Sequence, residues 1–249
     1  EEVPDDKPVV LSAHGVARAV VDEAKRRNMI AIDATCPLVT KVHNETRRHA
    51  KFKRHVLLIG HAGHPEVEGT MGQVNLNEIT LVETVEDAHT VSPPTDADLA
   101  FSTQTTLSVD DTTEIISVLK SRFPNIKSPR GEDICYATSN RQSAVKEIAS
   151  QVDLMLVIGA ENSSNSKRLV EVARASGAKR AILIADKDQI DWDIVDEAKH
   201  IGLSSGASAP EVLVKEVVSA LHGRYSIVSN EEIYIEEKIN FKLPPNLMN

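Results

Sequence analysis

The chain has 249 residues, 41% of them hydrophobic, enough for one large core or for two or three small ones. Its formal net charge of −9, with no long basic run, disfavours general nucleic-acid or anionic-membrane binding, so an anionic ligand needs a local positive site. Aromatics at 3% argue against base-stacking platforms and aromatic sugar clefts, and apolar runs such as 154–160 fall far short of the ~20 residues that span a bilayer. With no charged-then-apolar leader at its front, the expected setting is cytoplasmic.

Short β-rich runs alternate with helical periodicity almost throughout, an α/β pattern. In chain order, strands are expected over 9–13, 29–33, 55–60, 78–82, 99–102, 154–159, 180–185 and 199–203, and helices over 16–27, 38–53, 108–123, 140–151, 166–176 and 209–222. The first helix places Val16, Val20, Val21 and Ala24 on one face and Arg18, Asp22, Glu23 and Arg26 on the other. The run 154–159 lacks alternation, as a parallel strand buried on both faces does. The polar stretch 83–98, with Pro93 and Pro94, reads as a surface connection carrying one short helical turn. From Tyr225, the tail alternates Ile233, Ile235, Ile239, Phe241 and Leu243 with charges, as a closing strand or hairpin would.

An internal repeat organises the chain. Gly60 follows Cys36 by 24 residues, and Gly159 follows Cys135 by 24. Each unit runs Asp, Cys, helix, aliphatic strand and Gly, then a polar side chain four positions on: Asp33 and Cys36 lead to Gly60 and His64, and Asp133 and Cys135 to Gly159 and Ser163. Hydroxyl-rich strand exits follow at 102–106 and 204–208. Ser12-Ala13-His14-Gly15 resembles a further exit, whose own Cys would precede Glu1; together with the absence of an initiator Met, this predicts that an N-terminal part is missing. Three such units around an axis would bring three cysteines to one centre.

Both cysteines stand at expected helix starts, Cys36 before Pro37 and Cys135 before a helix that could begin near Ser139, where a thiolate is favoured. They are otherwise read as small buried apolar residues. Three cysteinates would suit an iron–sulfur centre with one iron open. His61-Ala62-Gly63-His64-Pro65-Glu66 follows a strand, where loop groups meet ligands; zinc is one possibility, but HExxH is absent and Gly63 and Pro65 oppose a continuous helical His face. The preferred reading makes His64 an oxyanion contact and Glu66 a proton donor, against a plain dipole-matching role for Glu66 in a helix's first turn. Asn162-Ser163-Ser164-Asn165-Ser166 can receive phosphate oxygens or merely cap a helix. Ser208 with Glu211 makes a capping box, Ser108 can cap its helix, and His14, Thr105 and Thr106 are weak signals until the repeat brings their loops together.

Taken together, these segments resemble the 4-hydroxy-3-methylbut-2-enyl diphosphate reductase (IspH, LytB) family. Seven ordered motifs carry the resemblance: Ser12 to Gly15, Asp33 to Pro37, Gly60 to Gly69, Thr103 to Ser108, Asp133 to Thr138, Asn162 to Ser166 and Gly206 to Pro210. It implies a three-lobed pseudo-threefold arrangement of small parallel-sheet αβ units around a central [4Fe-4S] cluster with three Cys ligands. The lobes would be 1–36 completed by 221–249, then 37–132, then 133–220, the first being incomplete. By resemblance, Cys36 and Cys135 ligate the cluster, His14, His64, Ser163, Ser164, Asn165 and Ser208 bind the diphosphate, and Glu66 delivers protons, assisted by Thr105, itself also a substrate contact. The implied reaction is two-electron reductive dehydroxylation of the allylic diphosphate to isopentenyl and dimethylallyl diphosphates in the non-mevalonate pathway, with reduced ferredoxin or flavodoxin as donor. The chain departs from the family in lacking its first Cys and earliest diphosphate-binding His, which implies a truncated reductase. The alternatives are a cluster-free diphosphate-binding module without redox activity, and a hydrolase binding zinc through His61 and His64.

Overall fold

The computed structural model describes residues 3–4 and 7–241. The eight strands expected between residues 9 and 203 form: β1 (Val9–Leu11), β2 (Ala31–Asp33), β3 (Arg54–Ile59), β4 (Ile79–Val82), β5 (Asp98–Thr103), β6 (Leu154–Ile158), β7 (Arg180–Ile184) and β8 (Ile201–Ser205). The helices are α1 (Arg18–Arg26), α2 (Pro37–Lys51), α3 (Pro65–Met71), α4 (Val85–Thr90), α5 (Val109–Arg122), α6 (Tyr136–Ala149), α7 (Ser164–Ala175), α8 (Trp192–Asp196) and α9 (Glu211–Arg224). The protein is thus a mixed α/β chain, and the strands of the described residues form three small parallel sheets, ordered β1-β2, β4-β3-β5 and β7-β6-β8. Helix α4 is the short turn expected within 83–98. At five residues, α8 is too short to show periodicity.

Two compact units divide the chain. The first takes Glu1–Thr105, Asp110–Ile134 and the chain end from Lys238; the second takes Thr106–Val109 and Cys135–Glu237. In the first, Val56 and Leu58 of β3 pack with Val67 of α3 and Ile79 of β4. In the second, β6 is covered on both faces. Met155 and Val157 meet Val145 and Ala149 of α6 and Leu169 and Ala173 of α7. Leu154, Leu156 and Ile158 meet Val195 of α8 and Val217 and Leu221 of α9. That double burial is why β6 is uniformly apolar.

The repeat is visible in the backbone. Gly60 N–H donates to Val82 O and Gln104 N–H to Ile59 O, at 3.1 and 2.8 Å; Gly159 N–H donates to Ile184 O and Gly206 N–H to Ile158 O, at 2.9 and 2.8 Å. In both three-stranded sheets the first strand is central and the next two flank it. Each central strand ends where the following helix crosses closely: a Cβ on Gly60 would lie 2.6 Å from Val67 Cγ2, and one on Gly159 would lie 2.6 Å from Ser166 Cβ and 2.1 Å from its Oγ. Gly159→Ala is therefore expected to destabilise the fold by about 1–3 kcal/mol through overpacking, read from urea midpoints; an unchanged midpoint would show that α7 yields freely.

Three expectations are corrected. Helix α6 begins directly after Cys135, not near Ser139. The Ser208–Glu211 capping box does not form: α9 starts at Glu211 with Pro210 at its N-cap and no side-chain cap bond. Proline disfavours the helical region for the residue before it, so Ala209 cannot open the helix and Ser208 stays exposed ahead of it. The tail from Tyr225 forms no strand through residue 241, and Ile233, Ile235, Ile239 and Phe241 are exposed. Alternation makes a segment amphipathic as a strand, but only pairing with an edge supplies its backbone bonds, and the described tail pairs with none of the described sheets. The described tail instead meets α6 through Glu237, whose carboxylate accepts from Asn140 Nδ2 at 3.0 Å. Leu243 and the end of the 221–249 segment lie outside the described residues.

Candidate active site

In the first unit, β3 ends at Gly60 and the chain turns through 61–63 into α3. Gln104, just past β5, fixes this turn by accepting from His61 N–H with Oε1 at 3.1 Å. His64 is the N-cap of α3, and its Nδ1 accepts from Glu66 N–H at 3.2 Å. The neutral imidazole therefore carries its proton on Nε2, the nitrogen left to face an anion. The ring of His14 stands edge-on to that of His64, centroids 5.6 Å apart at 83°. Burial, then the nearby His14 and His61, hold His64 down to a pKa of about 4. His64 in this condition accepts a proton readily only when an anion arrives.

Glu66 occupies the first turn of α3 with only 1% of its surface exposed. Thr105 grips it twice: its N–H donates to Oε1 at 2.6 Å and its Oγ1 to Oε2 at 2.9 Å. Burial pushes the carboxyl up to about 7, outweighing the Thr105 bonds, and the charge of Asp133 adds to the rise. Near neutral pH this group can both hold and release a proton. Glu66 thus occupies the first turn of α3, the position from which both the dipole-matching and the proton-donor expectations start.

Cys36 is the N-cap of α2 and Cys135 the N-cap of α6, with φ/ψ of −54°/133° and −61°/132°. Both are half-buried thiols outside any disulfide. They share the same station at a helix start. In the second unit Ser163 caps α7, accepting from Ser166 N–H at 3.3 Å and from Ser166 Oγ at 2.9 Å. Thr106 Oγ1 donates to Ser164 Oγ at 3.2 Å. Asn165 is buried, yet neither Nδ2 nor Oδ1 has a hydrogen-bond partner. An amide buried in that state is costly, and a ligand oxygen could accept from its Nδ2.

The local match extends to single side chains. His64 and Ser163 both follow the strand-end glycine by four residues and cap the next helix; Glu66 and Asn165 both follow it by six and are buried. The structure thus brings together His14 with His64 and Glu66 with Thr105 in the first unit, and Ser164 with Thr106 in the second. Ser208 is exposed before α9. Three supporting residues escaped the sequence reading: Gln104, Lys41, and Gln142, whose amide holds Leu107 O at 2.8 Å and Val109 N–H at 3.0 Å. No local pattern announces them, because each acts on residues distant in sequence.

The zinc arrangement is not what the residues build. Both Glu66 oxygens are taken by Thr105 and His64 Nδ1 by Glu66 N–H, and among the described residues no group of three His, Cys, Asp or Glu side chains is placed to hold a metal ion. Each thiol individually suits ligation of a [4Fe-4S] cluster, being soft, outside any disulfide and at a helix N-terminus. The fit is partial, because a three-cysteine set needs one more thiolate than the two in these 249 residues.

The family model of the LytB protein matches residues 1–222. A 4-hydroxy-3-methylbut-2-enyl diphosphate reductase of Gluconobacter oxydans is 56% identical over 248 residues, covering 98% of this chain and 74% of that protein. One from Hyphomonas neptunium is 56% identical over 244 residues, covering 98% and 78%. The solved structure of the E-1-hydroxy-2-methyl-but-2-enyl-4-diphosphate reductase from Plasmodium falciparum superposes with a TM-score of 0.92 at 37% identity, covering 98% of this chain and 77% of that one. A second solved structure, described as (E)-4-hydroxy-3-methyl-but-2-enyl diphosphate reductase, the terminal enzyme of the non-mevalonate pathway, gives a TM-score of 0.60 at 29% identity, covering 90% and 78%.

Proposed function

The chain belongs to the LytB family of 4-hydroxy-3-methylbut-2-enyl diphosphate reductases, and on that premise we propose that it carries the substrate-binding and proton-donating residues of a reductive dehydroxylation. The family consists of oxidoreductases of non-mevalonate isoprenoid biosynthesis, and the chain spans about three quarters of its relatives' length. The observation that carries the proposal is Glu66: a buried carboxyl, gripped by Thr105 and held near pKa 7, one turn from an imidazole pair suited to an anion.

In this reading His14 and His64 bind diphosphate oxygens, His64 through Nε2–H, as do Ser163, Ser164, Asn165 and Ser208. The orphaned Asn165 amide and the low proton affinity of the free His64 both support an oxyanion ligand. Remote binding of the diphosphate positions the reacting carbon. Glu66 holds a proton on a carboxyl oxygen and passes it to the substrate hydroxyl, so that water leaves rather than hydroxide; Thr105 fixes the carboxyl for that transfer and also contacts the substrate. Cys36 and Cys135 would hold a [4Fe-4S] cluster, which when bound supplies electrons and a Lewis-acid iron. Reduced ferredoxin or flavodoxin would be the electron source, the setting cytoplasmic, and the lobes those bounded at residues 37, 133 and 221.

The test uses the chain beside a form lengthened to carry the third cysteine, both reconstituted anaerobically with iron and sulfide and given the hydroxylated allylic diphosphate with reduced flavodoxin as the two-electron source. The lengthened form is expected to reduce it, and in both forms the His64 midpoint should climb from about 4 by roughly one to two pH units on adding substrate. Failure of reduction in the lengthened form sinks the reductase reading and leaves a diphosphate-binding module; an unmoved His64 sinks the diphosphate assignment.

A further inference from the structure

Strand β5 lies at the edge of its sheet, so the amides on its outer side need acceptors from elsewhere. Lys127 supplies one, with Phe101 N–H donating to Lys127 O at 3.1 Å and Lys127 N–H to Leu99 O at 2.9 Å. Further along the same edge the backbone partner is replaced by a side chain: Thr103 N–H donates to Asp133 Oδ2 at 3.0 Å. The Asp133 side chain is 1% exposed, and its other oxygen takes Lys41 Nζ of α2 at 3.0 Å. The same ammonium also donates to Gly131 O at 3.1 Å and Glu132 O at 2.6 Å. Thr103 is the last residue of β5, and two residues later Thr105 makes both of its bonds to Glu66.

We propose that Asp133, anchored by Lys41, is a positioning residue for the proton donor: it stands in for a neighbouring strand at the end of β5 and so sets Thr105 against Glu66. The role follows from the leverage of the arrangement. The hold of Thr105 on Glu66 uses a backbone N–H and a hydroxyl of one residue, so a small displacement of the strand end weakens both bonds together. A buried carboxylate held by a cation resists that displacement where a water molecule would not. The titratable and charged groups around Glu66 are Asp133 with Lys41 beyond it, His64 capping the same helix, and His14 against His64. Of these, Asp133 is the one whose charge raises the proton affinity of Glu66.

The inference rests on the reading of Glu66 as proton donor, but its test is independent of turnover. In Lys41→Gln, which removes the anchoring charge at a part-exposed site, hydrogen exchange at the Thr103 and Thr105 amides is expected to quicken by about tenfold or more. Asp133→Asn and Asp133→Ala both lose the charge that raises Glu66, but only the first keeps an oxygen for Thr103 N–H. Because the Thr105 bonds lower the Glu66 midpoint, that midpoint, followed by carbon-13 labelling of glutamate, should lie about half a pH unit or more higher in Asp133→Ala than in Asp133→Asn. Unchanged exchange at both amides in Lys41→Gln overturns the proposal, as do equal Glu66 midpoints in the two folded Asp133 variants. If either Asp133 variant does not fold, the exchange experiment decides alone. Failure of the lengthened form to reduce substrate leaves both readouts intact, so the two failures are distinguishable.

Discussion

In Glu66→Gln, turnover of the cluster-loaded, lengthened form is expected to fall by about 10²- to 10⁴-fold, the range for loss of a positioned proton donor. The same variant should be more stable than its parent in alkaline solution. Glu66 titrates near 4.5 when unfolded and near 7 when folded. Below 4.5 both states keep the proton, and the carboxyl contributes nothing to the pH dependence. Between those values the unfolded chain releases its proton while the folded chain retains it, so folding stability declines as pH rises. Above 7 the decline is complete, at up to about 3 kcal/mol. Glutamine has no proton to lose and keeps an oxygen for Thr105. Urea unfolding at pH 5 and pH 8 should therefore show the variant gaining on its parent at the higher pH, and parallel pH dependences would remove Glu66 as a high-pKa carboxyl.

Replacement of either cysteine by serine should reduce bound iron and sulfide by about tenfold or more, because a hydroxyl is a poor substitute for a soft thiolate. Both substitutions are mild for the fold, since each thiol is half-buried and makes no disulfide. Iron and sulfide are to be counted per chain in the lengthened form after gel filtration, with His61→Ala as the contrast. Full iron in Cys36→Ser or Cys135→Ser would reject that residue as a ligand. Loss of iron in His61→Ala alone would move the metal to the imidazole loop.

Much of the architecture was legible because its signals are local. β6 announces double burial by five consecutive apolar residues, and α2 announces its start by Pro37 after Cys36. The equal spacing from cysteine to glycine exposed the duplication without any three-dimensional information. The tail misled because alternation reports which face a strand would bury, not whether an edge is there to receive it. Ser208 misled because the capping pattern was weighed without the restriction that Pro210 places on Ala209. In the candidate site, residue types were readable, but the proton affinity of Glu66 depends on its enclosure and on Asp133, 67 positions away in the chain. No pattern along the sequence connects Lys41, Asp133 and Thr103, whose association arises from an edge strand in need of acceptors.

The shared station of Glu66 and Asn165, each six residues beyond a strand-end glycine, bears on how such a molecule acquires asymmetric chemistry. The scaffold supplies a buried place at a helix entry and is indifferent to which planar group of that size fills it. A carboxyl there becomes acid-base machinery chiefly through enclosure, whereas a carboxamide in the same place is inert to protons and serves recognition. Divergence of function between duplicated halves then requires no change of backbone, only the exchange of one functional group at a position already dry.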